Sequence, residues 1–335
     1  MRIVMMGTGT FAEPTFQALL AGPHPVVGLV TQPDRPAGHE RGSTRQTGLG
    51  MKQIAESHKI PVFQPESVNT PEGVAGLAAF APDLLVVAAY GQILSRDVLA
   101  VPPLGGINVH ASLLPKYRGA APVAWALYHG ETRTGVTIIR MSVHLDAGEM
   151  LAQEALDILP DETEGELEAR LAPLGARLAL DVAGRLAQGP VAGTVQDKSQ
   201  VTKAPKLKKE NGLIDWTRGA VEVCNQIRAM QPWPTAYTFW HRAGQPPFRL
   251  IVNRAREGSP PLRGGDEDRR GAAGYPAGSV IVSPQEPGRL LVAAGGGSVV
   301  EVLELQPAGK RRMSALDFLR GHHPQPGDRL GPEAP

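Results

Sequence analysis

Two polar residues that could do chemistry lie close together in an apolar segment, GINVHASLLP, at residues 106–115. Asn108 and His110 are separated by one residue, so on a β-strand their side chains point to the same face. An amide and an imidazole are costly to bury unless they are hydrogen-bonded. In open parallel sheets, ligands bind at the carboxyl ends of the strands. The segment therefore predicts a site at the end of a strand.

A second polar pair follows the next apolar run, in the segment HLDAGEML. His144 and Asp146 alternate in the same way and are expected to point to one side. The two pairs together could ligate a metal ion. They could instead perform metal-free acyl transfer, in which imidazole and amide face a developing oxyanion and the carboxylate handles the proton. A hydrolase with Ser112 as nucleophile is a third alternative, although no G-x-S-x-G elbow surrounds that serine.

The glycine-rich segment GTGTF follows the first apolar run and partly matches a dinucleotide-binding fingerprint. The last fingerprint position is Ala12, and the only acidic residue near the end of the second run is Asp34, in a proline-flanked loop. A turn glycine in an α/β sheet is the better interpretation. A nicotinamide cofactor is therefore not expected.

The first half of the chain alternates continuous apolar runs, such as RIVMMG and DLLVVAAY, with helix-like stretches. Such runs indicate a mostly parallel sheet that is covered on both faces. The sequence predicts a doubly wound α/β domain over residues 1–189. Its closing helix is predicted at 163–189, and Pro173 is expected to bend or interrupt it.

The character of the chain changes at residues 190–210, where a polar, lysine-rich segment predicts a basic linker. Short β-like runs follow and predict a small C-terminal β-barrel over 211–320. Residues 256–278 are of low complexity and predict a surface loop within it. The Pro- and Gly-rich end, 321–335, predicts a disordered tail.

Composition limits the class of protein. The 335 residues are 42% hydrophobic and 20% charged, which is typical of a globular protein with a sizeable core. No apolar run approaches the roughly 20 residues that span a bilayer, and no signal peptide is evident. With a single cysteine, Cys224, a cytoplasmic protein without a membrane partner is expected. The net charge of +1 means that any nucleic-acid surface must be local.

The combined motifs resemble the methionyl-tRNA formyltransferase family. The resemblance includes TQPDRPAG, AYGQIL and LLPKYRGAAPVAWAL in the first half, and LKKENGLIDW, IRAMQPWPTAY and LELQPAGKRRMSALDFL in the second. The N-x-H, S-L-L-P and L-D-x-G core is also similar to glycinamide ribonucleotide formyltransferase and other formyltetrahydrofolate enzymes. The C-terminal motifs distinguish the tRNA family from these.

This resemblance implies a formyltransferase-like Rossmann variant with an OB-like barrel. It implies a metal-free, monomeric enzyme that moves the formyl group of 10-formyltetrahydrofolate to the α-amine of methionine on initiator methionyl-tRNA, for translation initiation. The implied catalytic residues are Asn108, His110 and Asp146. The implied folate-site residues are Ser112, Leu113, Leu114, Pro115, Gln92 and Leu94. The implied tRNA contacts are Arg41, Arg45, Lys206, Lys208, Lys209, Lys310 and Arg311.

In the implied mechanism, Asn108 and His110 hydrogen-bond the oxyanion, while Asp146 takes the proton that the attacking amine loses and orients His110. An exposed aspartate is too weak a base for this role, so the carboxylate must be buried. Two other functions stay open. One is a formyltetrahydrofolate-dependent transferase for a small amine, which would not need the second domain. The other is a tRNA-binding module with a degenerate α/β domain, which the presence of all three catalytic residues disfavours.

Overall fold

A computed structural model describes residues 1–34, 50–259, 274–282 and 286–334. The chain divides into two compact units, each with its own seven-stranded sheet. The first unit contains Met1–Ala126, Thr132–Pro160 and Gly165–Lys206. The second contains Leu127–Glu131, Asp161–Glu164 and Leu207–Pro335. In the ranges that the structure describes, every helix is too short or too polar to cross a membrane.

The first unit is the predicted α/β domain with a mostly parallel sheet. Its strands are β1 (Ile3–Gly7), β2 (Val26–Val30), β3 (Val62–Phe63), β4 (Leu84–Ala88), β5 (Gly106–His110), β6 (Arg118–Gly119), β7 (Arg133–Arg140), β8 (Met150–Asp157) and β9 (Lys203–Ala204). The main sheet has the order β3-β2-β1-β4-β5-β7-β8. The strands from β3 to β5 in this order are parallel, whereas β7 and β8 are antiparallel to their neighbours. β1 and β4 are buried throughout, which explains their continuous apolar sequence.

Helices connect and cover these strands. They are α1 (Glu13–Leu20), α2 (Met51–Ser57), α3 (Pro71–Ala78), α4 (Arg96–Leu99), α5 (Pro122–Tyr128) and α6 (Glu164–Gln188). The expected interruption at Pro173 is wrong, because α6 continues through this proline. Interior proline costs about 3 kcal/mol, which the buried apolar face of α6 offsets. That face approaches the sheet so closely that a Cβ atom at Gly175 would lie 2.6 Å from Val109.

The segment predicted as a linker contributes structure to the first unit, which extends to Lys206. Thr194 and Met150 exchange two backbone hydrogen bonds of 2.9 Å. Further along, β9 pairs with β6 in a two-stranded parallel sheet. These contacts use backbone groups, so a polar sequence can form them without any apolar pattern.

The second unit is an antiparallel barrel, as predicted. Its elements are α7 (Ala220–Ala229), β10 (Ala236–His241), β11 (Phe248–Gly258), β12 (Val280–Ile281), β13 (Leu290–Ala294), β14 (Ser298–Pro307), β15 (Met313–Ser314), α8 (Ala315–His322) and β16 (Arg329–Gly331). The sheet has the order β12-β13-β14-β11-β10-β16, and β15 pairs with β14. A bridge between Ser279 and Arg329 joins the two edges and closes the barrel.

The predicted disorder of the tail is wrong for the residues that the structure describes. β16 pairs with β10, and Leu330 is buried. The buried Asp328 accepts a hydrogen bond from Gln325 N and lies 3.3 Å from Arg242 Nε. Closure of the barrel thus orders a segment whose composition suggests disorder. Most of the predicted surface loop at 256–278 lies outside the described residues.

One acidic side chain of α6 lies in a poorly hydrated position. Glu168 Oε1 accepts a hydrogen bond of 2.9 Å from Thr10 Oγ1, in the loop after β1. Burial raises the pKa of Glu168 above its ordinary value of 4.5, and the bond from Thr10 opposes this rise only in part. Binding of a proton by Glu168 therefore favours the folded state.

We expect Glu168→Gln to stabilise the protein at neutral pH, with a gain that shrinks as the pH falls and vanishes below the ordinary pKa of 4.5. The folded chain holds this proton more tightly than the unfolded chain, so wild-type stability falls as the pH rises through the raised pKa. Glutamine resembles the protonated acid and can still accept from Thr10. The measurement is the thermal unfolding midpoint of both proteins between about pH 4.5 and 8, with the exposed Glu56→Gln as control. A difference that does not grow with pH would contradict the assignment.

Candidate active site

The structure brings the predicted residues Asn108, His110 and Asp146 together at the carboxyl end of β5. Asn108 Nδ2 donates a long hydrogen bond of 3.4 Å to Asp146 Oδ1. His110 Nδ1 lies 3.6 Å from Asp146 Oδ2, and the two side chains are only 5% and 9% exposed. Alternation along β5 places Asn108 and His110 on one face, as the sequence predicts. The buried carboxylate that the implied mechanism requires is present.

The protons of His110 can be assigned from its neighbours. Its Nε2 atom lies 3.0 Å from the carbonyl oxygen of Tyr117. A carbonyl can only accept, so Nε2 carries a proton and donates it. The other ring nitrogen, Nδ1, faces the Asp146 carboxylate. The ring therefore lies between two oxygen acceptors, one at each nitrogen.

The Asp146 carboxylate is positioned by a loop and not by a strand. Its Oδ2 atom accepts a hydrogen bond of 2.9 Å from Gly119 N. The residue has a φ of 49°, in the left-handed region that aspartate adopts more readily than most residues. Gly119 is the glycine of the sequence Y-R-G at residues 117–119, and this glycine is the one sequence signal that could have indicated the donor.

The predicted alternation of His144 and Asp146 is wrong. β7 ends at Arg140, and no strand is present between this residue and β8, so a period of two does not apply. His144 is exposed, and its backbone N and O both contact Ser142 Oγ. Within the described parts of the chain, no group of three or more His, Cys, Asp or Glu side chains is arranged to hold a metal ion. The proposed four-ligand set is therefore not assembled.

The loop of the S-L-L-P motif is fixed by internal hydrogen bonds. Ser112 is fully buried, and its Oγ donates to the carbonyl of Lys116 at 2.7 Å. Thr137 Oγ1 donates to the Ser112 carbonyl at 2.6 Å and accepts from Leu114 N at 3.2 Å. The hydroxyl of Ser112 thus stabilises the turn, which gives no support to its use as a hydrolytic nucleophile. Leu114 is buried, whereas Leu113 and Pro115 are half-buried.

The remaining predicted residues that the structure describes form no hydrogen bond or ion pair with Asn108, His110 or Asp146. The side-chain amide of Gln92 bonds the backbone of Val68 and Glu66, and Leu94 is part of the core. The predicted basic contacts that the structure describes are all exposed: Lys206, Lys208, Lys209, Lys310 and Arg311. Arg41 and Arg45 lie outside the described residues.

One buried side chain at the site escaped the sequence analysis. Gln196 donates from Nε2 to the carbonyl oxygen of Asp146 at 2.8 Å. It lies in the polar segment that predicts a linker, where a single glutamine carries no signal of its own. The segment that carries Gln196 therefore could not be predicted as part of this site.

Family models and full-length relatives of this chain are all formyltransferases in the comparisons that follow. Residues 1–182 match the formyl transferase family, and residues 206–323 match the formyl transferase C-terminal domain. The methionyl-tRNA formyltransferase of Geobacter sulfurreducens is 43% identical over 331 residues, which cover 99% of this chain and 97% of that protein. The one from Methylococcus capsulatus is also 43% identical, with 99% and 100% covered.

A solved structure shares the fold. It is an N-formyltransferase from Helicobacter canadensis in complex with folinic acid and dTDP-3-aminofucose, with a TM-score of 0.61. The alignment covers 90% of this chain and 98% of that chain at 14% identity. At this identity the likeness concerns the fold alone.

The loop that carries Asp146 depends on a glycine with no room for a side chain. A Cβ atom at Gly148 would lie 1.7 Å from the carbonyl oxygen of Arg140. Gly148→Ala should therefore displace the loop and break the bond between Gly119 N and Asp146. We expect amide hydrogen exchange at Gly119 to accelerate at least about tenfold, equivalent to about 1.4 kcal/mol of local stability.

The matched control is Gly184→Ala on α6, where nothing lies within 4 Å of the added Cβ atom. Alanine there should stabilise the helix by up to about 1 kcal/mol and leave Gly119 unaffected. Unchanged exchange at Gly119 in Gly148→Ala would show that the loop can accommodate a side chain without moving the carboxylate.

Proposed function

The chain belongs to the methionyl-tRNA formyltransferase family, and from this we propose that it transfers the formyl group of 10-formyltetrahydrofolate to methionine on initiator methionyl-tRNA. The observation that carries the proposal is 43% identity to a methionyl-tRNA formyltransferase across 99% of the chain. The cluster of Asn108, His110 and Asp146 supplies groups that suit this chemistry. We also propose that the enzyme works in the cytoplasm, where its product initiates translation, and that it is a monomer.

The reaction begins when the α-amine nitrogen of methionine attacks the formyl carbon. This attack forms a C–N bond, places negative charge on the formyl oxygen and leaves an ammonium ion. Asn108 has a second amide N–H, besides the one directed at Asp146, that can donate to the oxyanion. His110 can donate to the oxyanion only through Nδ1 and only when this nitrogen also carries a proton, because Nε2 is held by the Tyr117 carbonyl.

Asp146 suits the role of proton acceptor. Its Oδ2 atom is engaged by Gly119 N at 2.9 Å, whereas Oδ1 receives only the 3.4 Å contact from Asn108 among the described residues. Oδ1 is therefore the better acceptor for the ammonium proton, directly or through a water molecule. The intermediate then collapses, the bond between the formyl carbon and N10 breaks, and N10 takes up a proton as tetrahydrofolate leaves.

In this proposal the two units bind different substrates. We assign formyltetrahydrofolate binding to the first unit, with Ser112, Leu113, Leu114 and Pro115 forming one wall near Asn108. Gln92 and Leu94 are assigned to the same pocket. The second unit and the lysines around residue 206 bind tRNA phosphates. Formyl transfer by this route needs no metal ion, because protons and the oxyanion are handled by side chains.

The deciding assay incubates the protein with 10-formyltetrahydrofolate and charged initiator tRNA and measures formyl-methionine. Free methionine at the same concentration tests the alternative of a small-amine transferase. Formylation of the charged tRNA at a kcat/KM at least about a hundredfold higher supports the proposal. Equal use of both amines would favour the alternative, and no formylation of either would reject enzymatic formyl transfer.

We predict that Asp146→Asn lowers kcat by about 10²–10⁴-fold, the range for a lost general base. Asparagine keeps the volume and can still accept from Gly119 N, so the dissociation constant for the folate should hardly change. Steady-state kinetics and equilibrium folate binding measure the two effects. The exposed Asp97→Asn on α4 is the control. Near wild-type turnover of Asp146→Asn would reject this carboxylate as the proton acceptor.

Replacing Lys206, Lys208 and Lys209 with alanine should raise KM for charged tRNA and flatten its salt dependence. Each lost phosphate contact lowers the number of counterions that are released when tRNA binds. The slope of log K against log salt should therefore fall by about one for each contact. The folate dissociation constant and the turnover at saturating tRNA should stay unchanged. The measurement is KM for tRNA between about 50 and 200 mM salt.

A charge-matched control replaces the exposed Lys59, Arg96 and Arg133 of the first unit with alanine. This triple variant loses the same number of positive charges outside the proposed surface. If both triple variants change KM and its salt slope equally, the effect reflects net charge, and the assignment of the lysine segment is wrong.

A further inference from the structure

We propose that Gln196 is a positioning residue that holds the Asp146 carboxylate in place for formyl transfer. The inference rests on the proposed function for its kinetic consequences, and on the hydrogen bonds of Gln196 for its structural basis. Gln196 lies in the segment between α6 and β9, and it is only 5% exposed. It would act through Asp146 and not on the substrate.

Gln196 uses all of its hydrogen-bonding capacity. Its Nε2 donates to the carbonyl oxygens of Asp146 and Gly148, both at 2.8 Å. Its Oε1 accepts from Arg118 Nε at 3.1 Å and from Arg118 Nη2 at 2.7 Å. Two donors and two acceptor sites are the full inventory of a side-chain amide. A buried amide with every site occupied fixes its neighbours, because any movement leaves a polar group unsatisfied.

These bonds restrain the backbone of Asp146 itself. The residue has a φ of 49°, a left-handed conformation that costs about 1 kcal/mol. Such a conformation persists only where the surroundings over-determine it. Gln196 binds the carbonyl of this residue and that of Gly148, where a side chain cannot fit. The direction of the carboxylate thus depends on Gln196.

Arg118 connects Gln196 to the other side of the same carboxylate. The next residue, Gly119, donates its N–H to Asp146 Oδ2. The preceding residue, Tyr117, supplies the carbonyl that holds His110 Nε2. Gln196, Asp146, Gly119 and Arg118 therefore form a closed ring of covalent and hydrogen bonds. This ring fixes the carboxylate relative to the imidazole.

The segment that carries Gln196 is itself anchored to Tyr117 and Arg118. Thr202 accepts from Arg118 N through its carbonyl at 2.9 Å, and from Tyr117 N through its hydroxyl at 2.8 Å. The pairing of β9 with β6 continues this contact. Gln196 can therefore serve as a fixed reference for the Asp146 loop.

The test compares Gln196→Met, which removes donors and acceptors, with Gln196→Glu. Glutamate keeps an acceptor for Arg118 but presents no N–H to the two carbonyls. Both variants should lower kcat by about 10–100-fold, the cost of misplacing a reacting group by up to 1 Å. KM for the folate should stay within about threefold, since the folate loop keeps its bonds. The control is Gln200→Met, whose exposed amide bonds Asp197 in the same segment.

A double-mutant cycle separates positioning from an independent role. In an Asp146→Asn background, Gln196→Met should change kcat less than about twofold, because there is no general base left to position. A full 10–100-fold loss in that background, or kcat within about twofold of wild type for the single variants, would overturn the proposal. If Gln196→Met folds poorly, the same double-mutant cycle is measured with Gln196→Glu.

Amide hydrogen exchange at Gly119 tests the structural claim without any substrate. We expect faster exchange in both Gln196 variants and wild-type exchange in Gln200→Met. Unchanged exchange in the Gln196 variants would overturn the proposal. If the wild-type protein fails to formylate charged tRNA, the proposed function fails, while the exchange measurement still decides whether Gln196 positions Asp146.

Discussion

Burial of the Asp146 carboxylate is the constraint on which the site depends. Taking a carboxylate out of water costs several kcal/mol unless donors replace its hydration. The structure provides Gly119 N at 2.9 Å, the distant amide of Asn108, and the His110 ring at 3.6 Å. This set is sufficient to hold one oxygen and leaves the other weakly engaged. The weakly engaged oxygen keeps a lone pair that is open to a further hydrogen bond.

The same constraint explains why the first unit extends beyond its closing helix. Gly119 can donate to Asp146 only if its strand is fixed, and β9 fixes it by pairing with β6. A Cβ atom at Gly119 would lie 2.3 Å from the carbonyl oxygen of Ala204, so the two strands are in close contact. The segment after α6 is therefore part of the catalytic unit, although its composition is that of a linker.

Sequence patterns among neighbouring residues predicted the features that depend only on neighbouring residues. The period of two along β5 was enough to place Asn108 and His110 on one face, and continuous apolar runs were enough to predict the parallel sheet. Asp146 lies beside His110, but the alternation that predicted this position was the wrong reason, because a loop with a left-handed residue orients Asp146. Gln196 and β16 make contacts with residues 50 or more positions away, and no local pattern records such pairings. The Pro- and Gly-rich composition of the tail therefore predicted disorder where β16 pairs with β10.

The restraint of His110 makes the imidazole and the carboxylate one functional group. The Tyr117 carbonyl holds Nε2, so the ring cannot rotate to present that nitrogen to a substrate without losing a buried hydrogen bond. The remaining nitrogen, Nδ1, faces the Asp146 carboxylate at 3.6 Å. Residues that act as a unit have non-additive effects on turnover. Tyr117 and Gly119 hold His110 and Asp146 through the backbone of one short segment, so the geometry of that segment sets the relative positions of the imidazole and the carboxylate.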